Sequence, residues 1–137
     1  MKQKTINVLI KRPYQDAEVV EVKNELSVFQ EIVGGLIEKA PLPGTSGVDI
    51  YVNEEGKLFQ FDGNFFLPEY RDCVVGVAFL CSCDDDGNMT SLTDSQIEAA
   101  KNYIDAYALK NGEDVWQDYY YLSAKAAQTM QRRNGAS

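Results

Sequence analysis

Hydrophobic and polar residues alternate in the first part of the chain, which is the pattern of half-buried β-strands. Every second residue from Ile6 to Ile10 is apolar, so residues 5–11 are predicted to form a strand, and a second apolar-rich run follows over residues 17–23. Between them, residues 12–16 read Arg-Pro-Tyr-Gln-Asp, which is typical turn chemistry. The chain is therefore predicted to open with an antiparallel hairpin.

After this hairpin the spacing of apolar residues changes to that of a helix. Residues 26–33 carry an apolar stripe that predicts a short helix, and Gly34-Gly35 is expected to end it, since glycine accepts the left-handed conformation of a C-cap. A strand over residues 36–40 and a loop over residues 41–47 follow. The stripe consists of Leu26, Phe29, Ile32 and Val33.

The middle of the chain is predicted to be rich in strands. Residues 48–52 and 57–61 flank Asn-Glu-Glu-Gly and are expected to pair as a hairpin, while residues 62–70 are expected to be irregular. Residues 73–83 form the most hydrophobic run, and a continuous apolar run indicates a central strand that is covered on both faces. Val75, Val77 and Phe79 are its predicted core residues.

Two helices are predicted to close the chain. A turn at residues 84–88 is followed by Thr93 and Gln96, which have the spacing of a capping box, and by a helical stripe that continues to about residue 109. A further helix is predicted over about residues 113–132.

The order of these elements predicts an α+β fold. Its sheet is mostly antiparallel, with a short helix after the first hairpin and two C-terminal helices packed on it. Residues 1–110 are predicted to form the α+β core, and residues 111–137 a helical extension of the same domain.

Composition narrows the class of protein. The formal charge of −8, from 21 acidic and 13 basic residues, argues against direct binding of nucleic acid. Neither a signal peptide nor a membrane-spanning segment is apparent, so we expect no membrane partner. The three cysteines Cys73, Cys81 and Cys83 are an odd number in one stretch, which favours free thiols and a cytoplasmic location.

The chemistry of the sequence predicts no catalytic residues, no cofactor and no metal. The chain has no histidine, which removes most nucleophilic triads and catalytic zinc sites. Cys73, Cys81 and Cys83 would share one face of an unbroken strand, yet no second pair completes a zinc site, so core packing is the preferred interpretation. A calcium loop starting at Asp84 would need glycine and glutamate where Met89 and Ser95 stand.

Aromatic residues give the strongest indication of a binding surface. Trp116 and Tyr120 lie four residues apart in the last predicted helix and are expected to share an exposed face, while Phe65, Phe66 and Tyr70 fall in a predicted loop. Exposed tyrosine and tryptophan are enriched at protein interfaces, and half-buried packing is the alternative for each of them. These five residues are the predicted interface or ligand contacts, and a homodimer through Trp116 and Tyr120 is one expectation.

Five stretches of the sequence resemble a family of domains of unknown function. That family occurs in bacteriophages, plasmids and conjugative elements, chiefly of Firmicutes. Gln-Glu-Ile-Val-Gly-Gly at residues 30–35 and Asn-Glu-Glu-Gly-Lys-Leu at residues 53–58 carry the resemblance most specifically. The five stretches are residues 6–10, 26–38, 52–58, 75–79 and 91–97.

The resemblance implies a genomic setting and carries no established activity. We therefore expect a non-enzymatic accessory protein of a phage or mobile element that binds a host protein or a small molecule, with counter-defence as the role suggested by that setting. Two alternatives stay open: an acidic inhibitor that imitates DNA, and a small enzyme that uses carboxylates such as Asp62 and Glu69.

Overall fold

The computed structural model describes residues 2–110. Eight strands and two helices alternate with short turns, and a 3₁₀ turn covers Pro68–Tyr70. The strands are β1 (Thr5–Lys11), β2 (Glu18–Lys23), β3 (Ile37–Pro41), β4 (Asp49–Asn53), β5 (Gly63–Leu67), β6 (Asp72–Val75), β7 (Ala78–Cys83) and β8 (Met89–Thr90); the helices are α1 (Leu26–Val33) and α2 (Asp94–Tyr107).

The larger sheet has the strand order β2-β1-β7-β4-β3, and β8 adds to β7. Strands β5 and β6 form a separate two-stranded sheet. Every strand pairing within the described part of the chain is antiparallel. The prediction of an α+β fold with a mostly antiparallel sheet is therefore confirmed, and β2 and β3 are its two outer strands.

Both faces of the larger sheet are covered. On one face, Phe29 and Val33 of α1 pack against Tyr51 and Phe79. On the other face, α2 and the small β5–β6 sheet pack together with the large sheet in a second cluster that includes Phe65 and Ile104. The central strand β7 contributes side chains to both clusters, as its continuous apolar sequence predicts.

The local signals at the ends of the helices are confirmed. Gly34 has φ +80° and donates its N–H to Gln30 O, which closes α1 as a left-handed C-cap. Thr93 and Gln96 form the reciprocal capping box that begins α2. The predicted helix over residues 113–132 lies outside the described residues.

The predicted strand over residues 57–61 is wrong. These residues form nested turns, in which Phe59 N–H donates to Glu55 O and Phe61 N–H donates to Gly56 O, each at 3.0 Å. β4 pairs with β3 and β7 instead. The next strand along the chain, β5, lies within the stretch predicted to be irregular and pairs with β6.

The predicted central strand over residues 73–83 is two strands that belong to different sheets. Gly76 separates β6 from β7 with φ +72°, and a Cβ atom there would lie 2.8 Å from the Phe61 ring. Glycine is thus required both by its conformation and by its close neighbour. Val75 is therefore buried in β6, as predicted. Val77 was also predicted to be a core residue, but it lies at the junction of the two strands and is only half-buried.

Candidate functional site

The five aromatic residues predicted to make contacts have different surroundings. Phe65 has no exposed surface and packs in the core between the two sheets, while Phe66 is half-buried. Tyr70 is exposed, and its hydroxyl donates a hydrogen bond to Pro41 O at 2.8 Å. Trp116 and Tyr120 lie outside the described residues. Phe65, Phe66 and Tyr70 therefore form no continuous aromatic surface.

A cleft opens instead where the small sheet meets the β3–β4 side of the large sheet. Its volume is about 110 Å³. Register pairs Glu38 with Val52 and Ala40 with Ile50, so these four side chains share the face of the sheet on which β6 lies. The apolar side chains that line the cleft are Ala40, Ile50, Val52, Leu67, Val74 and Val75.

The surroundings of the cleft are charged. Glu38, Glu54 and Asp72 contribute carboxylates, and Lys57 forms an ion pair with Asp72. Lys39 also contributes to the lining of the cleft. Its Nζ atom lies 4.0 Å from Asp49 Oδ2. The cleft therefore combines apolar walls with three acidic groups around its opening.

Cys73 is the one thiol in the cleft wall, and it is buried. Burial raises the pKa of this thiol from 9.0 to about 12, so it is protonated at neutral pH. A protonated thiol is a poor nucleophile and a poor metal ligand. Cys73 thus supplies packing to the cleft and no evident reactivity.

The turn over residues 54–60 carries two exposed large apolar side chains and also contributes residues to the wall of the cleft. Leu58 is 76% exposed and Phe59 is 59% exposed, while Glu54 and Lys57 of the same turn line the cleft. Gln60 ends the turn with φ +53°, a conformation that is uncommon outside glycine. We define the cleft together with Leu58 and Phe59 as the edge site.

Sequence reasoning missed the edge site because the pattern of residues 57–61 also fits a strand. In that interpretation, Leu58 and Phe59 would have faced opposite sides of a hairpin, where one of them packs inward. The available signal was the glycine at residue 56, two residues before a pair of consecutive large apolar residues.

A second recess, of about 420 Å³, surrounds Lys11. Lys11 is only 2% exposed, and its Nζ donates to Arg12 O at 2.6 Å. Burial lowers the pKa of this amine, and the charges of Asp16 and Asp105 partly oppose that shift. Tyr14, which also lines the recess, has φ +64°. A buried amine beside a strained backbone is typical of functional sites as well as of structural ion networks.

Asn64 holds the small sheet against the large one behind this recess. It occupies a bulge in β5 and is fully buried, and its Nδ2 donates to Lys11 O at 2.7 Å and to Gly76 O at 2.8 Å. Its Oδ1 is buried and has no hydrogen-bond partner among residues 2–110. Asn64 therefore links the bulge in β5 to β1 and to the turn between β6 and β7.

The carboxylates considered for an enzyme lie on the surface. Asp62 and Glu69 are both exposed, and Glu69 accepts a hydrogen bond from the Tyr103 hydroxyl. Burial and this carboxylate raise the pKa of Tyr103, so the phenol stays protonated. Within the described part of the chain, no group of three or more metal-binding side chains comes together.

The acidic turn after β7 is held by hydrogen bonds between its own residues. Asp84 Oδ1 accepts the N–H groups of Asp86 and Asn88 at 3.0 and 2.9 Å. These hydrogen bonds lower the pKa of Asp84. The predicted turn at residues 84–88 is confirmed, and its geometry is that of an Asx turn.

The fold and the edge site define a small α+β domain with an open cleft at the outer strand of its sheet. The family model of DUF3846, a domain of unknown function, matches residues 6–108, and the chain belongs to this family. The expected membership in a family of unknown function is thereby confirmed. No curated protein and no solved structure matches the chain. No helix within residues 2–110 is long and apolar enough to cross a membrane.

Proposed function

We propose that this chain is a non-enzymatic binding protein of a phage or mobile element, and that its edge site binds a protein of the host. The observation that carries the proposal is the exposure of Leu58 and Phe59, at 76% and 59%, on the same turn whose Glu54 and Lys57 line an apolar cleft. Contiguous exposed apolar side chains mark interaction surfaces more often than scattered single ones do, because covering them removes apolar surface from water.

The size of the cleft favours a protein partner over a small molecule at this site. Pockets for small ligands usually have volumes of roughly 300–1,000 Å³. The cleft, at about 110 Å³, has room for about one side chain. A side chain that enters the cleft and a surface that covers Leu58 and Phe59 are together the features of a protein interface.

The charges around the edge site favour this proposal over an acidic imitation of DNA. Such a mimic needs a continuous acidic face, because it replaces a row of phosphates. Around the cleft, the cationic Lys57 lies among Glu38, Glu54 and Asp72 and forms an ion pair with Asp72, so the acidic groups form no continuous face. Counter-defence is the role we attach to the binding function, by analogy with the genomic setting that the resemblance implies.

Capture from a host lysate tests the proposal. The wild type and a Leu58→Ser/Phe59→Ser variant are immobilised, exposed to a lysate of a Firmicutes bacterium, and compared by mass spectrometry of the retained proteins. We expect the wild type to retain a partner that the double variant loses. Val19→Ser is the matched control, since Val19 is an exposed apolar residue on the opposite outer strand.

Circular dichroism establishes that both variants are folded. Retention of the same proteins by the wild type and the Leu58→Ser/Phe59→Ser variant would contradict the proposal, as would the absence of any protein specific to the wild type.

A small-molecule ligand is the second candidate, and the Lys11 recess favours it. Its volume of about 420 Å³ lies in the range of ligand pockets, and it contains a buried amine. Native mass spectrometry of protein purified from its host would detect a retained compound. Lys11→Met keeps the apolar stem and removes the amine, so a ligand of this recess should disappear from the variant.

A further inference from the structure

The outer strand β3 offers hydrogen-bonding groups on its free side, and the register shows which residues carry them. Glu54 N–H donates to Leu36 O at 2.9 Å, and Leu42 N–H donates to Val48 O at 2.8 Å. Hydrogen-bonded pairs alternate along an antiparallel ladder, so the even-numbered residues of β3 point their backbone groups toward β4. The odd-numbered residues Ile37, Lys39 and Pro41 therefore direct theirs outward.

One end of this free side is closed. Pro41 has no N–H, and its carbonyl oxygen already accepts the hydrogen bond from the Tyr70 hydroxyl. Among residues 2–110, no strand pairs with the outer side of β3, so the N–H and C=O of Ile37 and Lys39 are its open outward groups. They can pair with a segment of about three residues, because consecutive hydrogen-bonded pairs lie two residues apart.

The middle residue of such a three-residue segment would direct its side chain to the face of the sheet where the cleft opens. A residue directly opposite another on a neighbouring strand projects to the same face of the sheet. The residue opposite Glu38 would thus share the face of Glu38 and Ala40, where the cleft opens. Its side chain would lie beside Glu38, and Glu54 and Asp72 line the same cleft.

We propose that β3 binds a short extended segment of the partner protein as an added strand, with a lysine or arginine opposite Glu38. The long apolar stem of either side chain matches the apolar walls formed by Ala40 and Val52, and its cationic end matches the carboxylates around the opening. This inference rests on the proposed binding function and names the chemistry of its partner. The mode of recognition is strand addition at a sheet edge.

Two pentapeptides serve as probes of the edge. They are acetyl-Thr-Val-Lys-Val-Thr-amide and the same peptide with glutamate in place of lysine. Titration into the isotope-labelled full chain is followed by backbone amide chemical shifts. We expect the lysine peptide to shift the amides of Ile37 and Lys39, and the glutamate peptide to bind more weakly by about two- to fivefold, the factor expected of a cross-strand charge pair.

Lys39→Pro is the decisive variant. The N–H of Lys39 points away from β4, so proline removes the outward donor and leaves the β3–β4 ladder in place. It should abolish the shift of the Ile37 amide, whereas Lys39→Ala, the matched control, should retain that shift. Glu38→Lys should reverse the preference between the two peptides, which gives a second test that does not depend on the folding of the proline variant.

The other outer strand provides an internal control. By the same alternation, Val19 and Glu21 of β2 point their backbone groups outward, and neither residue lines the cleft of the edge site. Equal shifts of the β2 and β3 amides would mean unspecific edge pairing and would overturn the inference, as would an unchanged peptide preference in Glu38→Lys. The peptides could fail to bind β3 while capture from the lysate still depends on Leu58 and Phe59. That result would support the binding function and contradict strand addition.

Discussion

The Tyr70 hydroxyl donates a hydrogen bond to the carbonyl oxygen of Pro41 at 2.8 Å. This contact joins the 3₁₀ turn to the last residue of β3, and it occupies a backbone acceptor that would otherwise face solvent at the edge of the sheet. Proline at the same position removes the donor. Tyr70 and Pro41 together shorten the open edge, which is a known way to limit unspecific pairing of sheets.

Reopening this end of β3 should promote self-association. In a Tyr70→Phe/Pro41→Ala variant, the edge regains an N–H donor and a free acceptor, so we expect larger particles by light scattering at high concentration. Pro43→Ala is the control, because Pro43 lies beyond β3 in the following loop. A double variant that scatters like the wild type would show that these residues do not protect the edge.

Phe79 should be the most sensitive position of the core. It has no exposed surface, and its ring stacks on Phe29 at 5.1 Å and on Tyr51 at 4.8 Å between centroids. Phe79→Ala should lower the free energy of unfolding by about 3–5 kcal/mol. Urea denaturation measures this, with Val19→Ala as an exposed control, and a change below about 1 kcal/mol would contradict the assignment of Phe79 to the core.

The three thiols should differ in accessibility. Cys73, Cys81 and Cys83 are free, and only Cys83 is exposed. We expect a disulfide reagent to modify Cys83 promptly in the folded protein and all three cysteines in denaturant. Mass spectrometry of the modified peptides identifies the sites, and rapid labelling of Cys81 in the folded state would refute its burial.

Burial of Cys81 also predicts a dependence of stability on alkaline pH. Desolvation and the charge of Asp49 raise the pKa of this thiol from 9.0 to about 12, so between these values the folded state retains a proton that the unfolded state loses. The contribution of Cys81 to the free energy of unfolding is complete below about pH 9 and is lost as the pH rises toward 12. The loss is at most about 1.4 kcal/mol per pH unit.

Denaturation of the wild type and of Cys81→Ala at several pH values between about 8 and 11 isolates the contribution of the Cys81 thiol to stability. This range covers the pH values over which the thiol of the unfolded chain titrates. The Cys81→Ala variant should lose stability less steeply with pH than the wild type does. Parallel slopes in the wild type and Cys81→Ala would contradict the raised pKa.

The elements that could be predicted from the sequence are those determined by local patterns. The hairpin β1–β2 follows from alternation, α1 from its stripe and Gly34, and α2 from the Thr93–Gln96 box. Each signal lies within about ten residues of the element that it determines. The sequence also indicated that β7 is covered on both faces, since its apolar run has no polar side.

The edge site could not be predicted, because contacts between distant residues create it. Residues 57–61 have an alternating pattern, yet Phe61 packs on Gly76, fifteen residues further along the chain, and the intervening residues fold into turns. The same glycine ends β6 and separates it from β7. The cleft exists only once β6 lies against the β3–β4 side of the large sheet, and no local pattern encodes that placement.

Photocrosslinking inside host cells tests the binding function at the edge site most directly. The photoreactive residue p-benzoylphenylalanine is placed at Phe59 and, in a separate chain, at Leu26, an exposed apolar position of α1. We predict one dominant protein adduct from the chain labelled at Phe59 and none from the chain labelled at Leu26. No adduct at Phe59, or the same adducts from both positions, would contradict the edge site as the binding surface.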